Sequence, residues 1–242
     1  MIRRVTVEWP DDRPFRGRGG RPIRLLAASD QREPAFEVEK NRVSIDPIDG
    51  VIGCGDLDPR WLAFLADAFH APLVYVRGNH DAGGDWDEQH PVVPEALPWG
   101  GLTRLAGVVV GGLEWPEGRD GGNRRRPDLA WLQTIRLAWA ALPGRGRRRG
   151  EPLLVISHAA PEGAGDAPDA YHRGFRAYRW LLDRVRPPLW LHGHTTTASV
   201  PELQVRAGVT TVLNVTGAVV VELVSAGNGA RPHHDVGDPA GR

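Results

Sequence analysis

Five short apolar runs, at residues 23–28, 51–54, 73–76, 153–157 and 189–191, are each followed within three residues by a side chain able to ligate a metal. Runs this short read as strands buried on both faces rather than as independent helices. The polar residues that follow them are Asp30, Asp56, Asn79, His158 and His194. In an open α/β sheet the loops at the carboxyl ends of the strands converge on one crevice, so these five distant residues are expected to meet. Gly55, Gly78 and Gly193 stand immediately before three of them. Glycine permits the sharp turn and close backbone approach that aim a side chain across a strand end.

Helical patterns lie between the runs. Asp58 is a candidate N-cap with Pro59 at the first helical position, and Trp61, Leu62, Leu65 and Phe69 follow at helical spacing before Pro72. Further helices are expected over 127–142, closed by Pro143-Gly144, and over 175–185, closed by Pro187-Pro188. Residues 102–112 read as a strand or hairpin. Residues 209–215 and 218–224 read as late strands joined at Thr216-Gly217, and the absence of a helix between them points to a second, antiparallel sheet. The expected organisation is an extension or edge strand over 1–22, one domain over 23–225 and a flexible tail over 226–242.

Composition narrows the function classes. Thirty basic residues balance thirty acidic ones, so no global positive field draws in nucleic acid or an anionic membrane, and phosphate chemistry must be local. Arginine-rich loops at 16–21 and 144–150 read as solvated and do not support a nuclease. With Cys54 as the single cysteine, an intramolecular disulfide and a Cys-rich zinc cluster are both excluded. No apolar stretch has the length of a membrane span and the first residues do not read as a secretory signal, so a cytoplasmic, soluble chain is expected.

The ordered set Asp30-Gln31-Arg32, Gly55-Asp56, Gly78-Asn79-His80-Asp81, Ser157-His158 and Gly193-His194-Thr195-Thr196 resembles the calcineurin-like metallophosphoesterases. Their pattern is DxH, GDxx, GNHD/E, a lone His after a strand, and GHxH. The resemblance implies an α/β fold: a β-sandwich of two mixed sheets flanked by helices, four layers in all, with a two-metal centre at one edge. Two positions depart from the pattern, Arg32 for the His of DxH and Thr196 for the last His of GHxH, and in the family both histidines serve the same ion. One metal position, formed by Asp56, Asn79, His158 and His194, is complete; the other retains Asp30 and the shared Asp56 and is degenerate. Residues 29–36 and 158–175 also resemble a subgroup in which DxH is generally lost.

The resemblance implies a metal-dependent phosphoesterase that cleaves a phosphomonoester or phosphodiester of a small substrate with a metal-activated water. Mixed N/O donors suit Mn, Fe or Zn better than Ca. His80 is the candidate to bind the phosphate or protonate the leaving group, with Asp81 fixing its tautomer, and Asn79 is expected to contact substrate as well. Arg32 has three readings: a clamp on substrate phosphate, an internal partner for Asp30 or Glu33, or an outward-facing side chain. Glu33 is an alternative ligand for a second ion. The competing reading is a catalytically impaired phosphoesterase fold that acts as a binding or scaffold module. His192 reads as a core histidine, His172 as an exposed loop residue, His233-His234 as surface, and Trp115 as a residue able to line a pocket.

Overall fold

The computed structural model describes residues 2–81, 95–116, 125–196, 199–200 and 202–228. In chain order the strands are β1 (Arg3–Trp9), β2 (Ile23–Ser29), β3 (Gly50–Cys54), β4 (Leu73–Val76), β5 (Leu102–Leu105), β6 (Val108–Leu113), β7 (Leu153–Ser157), β8 (Leu189–His192), β9 (Gln204–Ala207), β10 (Thr210–Asn214) and β11 (Gly217–Ser225). The helices are α1 (Glu39–Val43), α2 (Pro59–Phe69), α3 (Pro127–Ala140) and α4 (Arg176–Val185). One mixed sheet has the order β1-β11-β2-β3-β4 and the other β5-β6-β7-β8-β10-β9.

Side-chain alternation along the strands builds the layers. Leu25 and Ala27 of β2 face the space between the sheets, where they join Ile52, Val76, Val110, Leu154 and Ile156. Leu26 and Ala28 point the other way, against Trp61, Leu62 and Leu65 of α2. On the second sheet, Val155 and Trp190 pack outward against Ala130 and Leu137 of α3 and Leu181 of α4. Each sheet is therefore covered on both faces, which is why its inner strands read as continuous apolar runs. The result is helix, sheet, sheet, helix.

Local chemistry sets the helix ends. Asp58 accepts from the Arg60 N–H at 2.7 Å and Pro59 opens α2, which closes with His70 at φ 51. Arg186, at φ 50, ends α4 just before Pro187. Helix α3 stops at Ala140, two residues short of the expected end.

The late strands correct the sequence reading. β10 runs parallel to β8 in the six-stranded sheet, whereas β11 lies between β1 and β2 in the other. The Thr216-Gly217 turn carries the chain from sheet to sheet instead of closing a hairpin. All five residues of β10 are buried, so an interior position covered on both sides suits it better than a separate sheet open on one face. β9 is an edge strand of alternating exposure that no apolar run announced. The arginine loops are also less solvated than expected: Arg18 bonds both carboxylate oxygens of Asp49 at 2.7 Å, and the half-buried Arg147 donates to the carbonyls of Ala141 and Glu151. Residues 229–242, which carry most of the expected tail and His233-His234, lie outside the described residues.

Candidate metal centre

Strands β2, β3, β4, β7 and β8 all end at one edge of the sandwich. Just beyond three of those ends, Asp30 (φ 62), Asp56 (φ 54) and His194 (φ 64) adopt left-handed backbone conformations. A residue with a Cβ held there costs roughly 1–3 kcal/mol, and such strain clusters at functional sites. The neighbouring glycines are required by close approach. A Cβ on Gly78 would collide with the Asp56 carboxylate and lie 2.7 Å from its backbone nitrogen; one on Gly193 would collide with Ser29 and Asp30. A Cβ on Gly55 would stand 2.6 Å from Nδ1 of His158.

Asp30, Asp56 and His158 each offer a ligand atom within 4.8 Å of the others. His158 is completely buried, and its Nδ1–H donates to the Cys54 carbonyl at 2.8 Å. In the neutral ring that leaves a lone pair on Nε2, which lies 2.7 Å from Oδ1 of Asn79 and 3.3 Å from Oδ2 of Asp56. The Asn79 amide donates through Nδ2 to the Tyr171 hydroxyl at 3.1 Å, so its oxygen faces His158. Three acceptors thus point at one another, an arrangement that only a proton or a cation reconciles. A divalent ion fits this donor set.

His194 completes the cluster. Its ring centroid is 4.9 Å from that of His158, and its Nε2–H donates to the Tyr171 carbonyl at 3.0 Å, which leaves Nδ1 uncommitted. Oδ2 of Asp30 accepts from the His194 N–H at 2.9 Å and the Thr216 hydroxyl at 3.2 Å. Buried Trp115 packs 4.8 Å from the His194 ring and 5.9 Å from that of His158, so the inner side of the site is aromatic and dry.

A family model for calcineurin-like phosphoesterases matches residues 41–197. The chain belongs to the calcineurin-like phosphoesterase family. Two solved structures share its fold: one aligns at TM-score 0.58 and 14% identity, covering 83% of this chain and 95% of that chain. The other, TT1561 of Thermus thermophilus, aligns at TM-score 0.52 and 19% identity, covering 81% and 90%. Vacuolar Protein Sorting 29 from Cryptosporidium parvum aligns at TM-score 0.40 and 12% identity, covering 81% and 75%. No curated protein matches the chain.

The two departures from the phosphoesterase pattern are occupied locally. Arg32 donates to Asp58 at 2.7 Å, with its guanidinium 5.8 Å from the Trp61 ring, so neither Asp30 nor Glu33 is its partner. Glu33 accepts from the Ala35 N–H at 3.1 Å and caps a short turn. Thr196 closes a turn with Ser199, to whose hydroxyl its N–H donates at 3.0 Å.

Asp81 has a different place from the one expected. Its buried carboxylate accepts from the Asp56 N–H at 2.7 Å and the Gly78 N–H at 2.8 Å, and so clamps two phosphoesterase turns together instead of holding the His80 ring. Burial pushes its carboxyl above the usual range. His80 is exposed, donates through its backbone N–H to Asp56 at 2.8 Å, and holds Nε2 3.4 Å from the Tyr171 hydroxyl. His172 is half-buried, with its ring 5.5 Å from that of His194 and Nδ1 3.0 Å from Asp169. Arg125 donates to the carbonyls of Tyr171 and Gly174, each at 3.1 Å, and pins the loop. Tyr171 and Arg125 were not anticipated. Neither carries a periodic or motif signal beyond membership of the 158–175 stretch, in the case of Tyr171.

The cluster makes stability depend on pH in both directions. Burial disfavours a charged His158, yet the bond to Asp56 and the charge of Asp30 outweigh it and push the group up to about 9. Burial raises the Asp56 carboxyl, but the bond and charge of His158 bring it below its ordinary value. Burial drives His192 and His194 down to about 4. The His158 contribution is complete below its ordinary value of 6.5 and is lost as pH rises through about 9. Those of His192 and His194 are complete above 6.5 and are lost as pH falls through about 4. Thermal unfolding in EDTA is therefore expected to give a melting temperature that peaks near pH 6.5 and declines on both sides. Saturating Mn should flatten the alkaline limb, because the cation takes the place of the proton on His158. An unchanged alkaline limb would overturn the assignment.

Proposed function

We propose that the chain is a metal-dependent phosphoesterase that cleaves a phosphomonoester or phosphodiester of a small substrate. One ion is held by Asp56, Asn79, His158 and His194, with Asp30 beside it at a degenerate second position. The reading is carried by one observation: Nε2 of His158 faces the Asn79 and Asp56 oxygens at 2.7 and 3.3 Å in a buried site. The mixed donors favour Mn, Fe or Zn. When bound, such an ion supplies Lewis acidity, neutralising phosphoryl charge and lowering the pKa of a coordinated water.

The protein's own groups prepare the rest. The Cys54 carbonyl fixes the His158 tautomer, and the Tyr171 hydroxyl fixes the Asn79 amide. Buried Trp115 covers the inner side of the His158 and His194 rings. His80, exposed beside Asn79, is the group placed to hold a proton at Nε2 for the leaving oxygen. Arg32, engaged by Asp58, takes no part in this reading. The test is turnover of a panel of phosphomonoesters and phosphodiesters with added Mn. Hydrolysis that EDTA abolishes and Mn restores is expected. Stoichiometric metal without turnover on any ester would favour the impaired binding module, the reading suggested by the local engagement of Arg32 and Thr196.

A further inference from the structure

The loop between β7 and α4 brings Tyr171 over the candidate centre, with its ring 4.9 Å from that of His194. Its carbonyl accepts from both His194 at 3.0 Å and Arg125 at 3.1 Å, so the backbone is fixed from two sides. The side chain is 47% exposed and borders solvent. Its hydroxyl oxygen accepts from Asn79 at 3.1 Å, which leaves the single phenolic proton to be placed. Nε2 of His80, 3.4 Å away, offers no good O–H···N bond: the distance is long, and with the proton assigned to it above it is a donor itself. A donor without a short partner therefore sits between the two residues assigned to substrate. Among the described residues the neighbouring arginines are engaged elsewhere: Arg32 is bound to Asp58, and Arg125 and Arg173 are bound to main-chain carbonyls. A phosphoryl group presents only acceptors and requires donors.

We propose that Tyr171 is a substrate-contact residue whose phenolic O–H donates to a non-bridging oxygen of the bound phosphoryl group. The assignment rests on the phosphoesterase reading for the identity of its ligand. It gives the site a neutral donor beside Asn79 and His194 of the complete ion position. Among the described residues, substrate charge is then met by one cation, the Tyr171 hydroxyl and His80.

The probe is inorganic phosphate, titrated by calorimetry into the Mn-loaded full chain and its Tyr171→Phe variant. The substitution keeps the ring against His194 and both main-chain bonds. Phosphate affinity is expected to fall about 10- to 100-fold, the loss of one hydrogen bond to a charged group, with Mn affinity changed by less than about twofold. Equal phosphate affinity in the two proteins overturns the assignment, as does failure of the Mn-loaded wild type to bind phosphate. A parallel loss of Mn affinity also overturns it, because Tyr171 would then act only through Asn79. Tyr171-dependent phosphate binding in a protein that hydrolyses no ester supports this assignment and overturns the hydrolase reading. Hydrolysis with unaltered phosphate binding in Tyr171→Phe does the reverse.

Discussion

His158→Ala is expected to abolish cation binding and phosphoester turnover together. The imidazole is wholly buried and its Nε2 is the meeting point of the Asn79 and Asp56 oxygens. Alanine removes a donor and leaves two oxygens with nothing between them but each other. Loss of a group that merely orients a ligand costs about 10- to 100-fold in metal affinity or activity, so loss of the ligand itself should exceed about 100-fold in both. Stability should fall too. Below the His158 titration near 9 the metal-free protein holds an imidazolium against Asp56, and breaking a buried pair from one side costs about 3–5 kcal/mol. Calorimetric Mn titration, urea unfolding and an ester assay on the same preparation check all three. A variant that retained Mn affinity within about tenfold of wild type would show that His158 is a core histidine and no more.

Asp81→Ala is expected to destabilise the fold strongly. One carboxylate oxygen receives the backbone N–H groups of Asp56 and Gly78, and alanine leaves both donors, one partly and one fully buried, without that partner. At about 1–3 kcal/mol for each unsatisfied group, the expected loss is about 2–6 kcal/mol. Cation affinity should fall with it, because the Asp56 turn is no longer tied to the Gly78 turn. Asp81→Asn keeps an acceptor oxygen and should recover much of the stability. If Asp81 instead served proton transfer through His80, Asn would abolish turnover while leaving stability and Mn affinity intact. Urea unfolding of the two variants, read beside Mn titration, separates these outcomes.

The sequence disclosed the fold where burial on two faces wrote apolar runs, and it fell silent where position depended on a partner element. β2, β3, β4, β7 and β8 sit in covered sheets, so their residues are mostly apolar and the polar residue beyond each apolar run marks the strand tip. β10 and β11 are both largely buried, and nothing in their composition says that they belong to different sheets. β9, an edge strand, buries too little to be visible.

The site divides in the same way. Asp56, Asn79, His158 and His194 were legible because each follows a strand at fixed order, and the glycines announced close approach. The left-handed backbone of Asp30, Asp56 and His194 was not, since Asp and His are ordinary in loops and neither requires that conformation. Tyr171 was hidden because it reaches the centre from an irregular loop, by contacts that no sequence spacing encodes. Asp81 was assigned by adjacency to His80, whereas its carboxylate reaches backbone N–H groups of two different turns.

Whether side chains from separate strand tips share one cation is decided by X-ray anomalous scattering from Mn-loaded crystals. One strong peak per chain is expected, about 2.0–2.3 Å from the ligand atoms of Asp56, His158 and His194, with Oδ1 of Asn79 in the same shell. A cluster without a peak, or a peak held by other residues, would refute the shared ion.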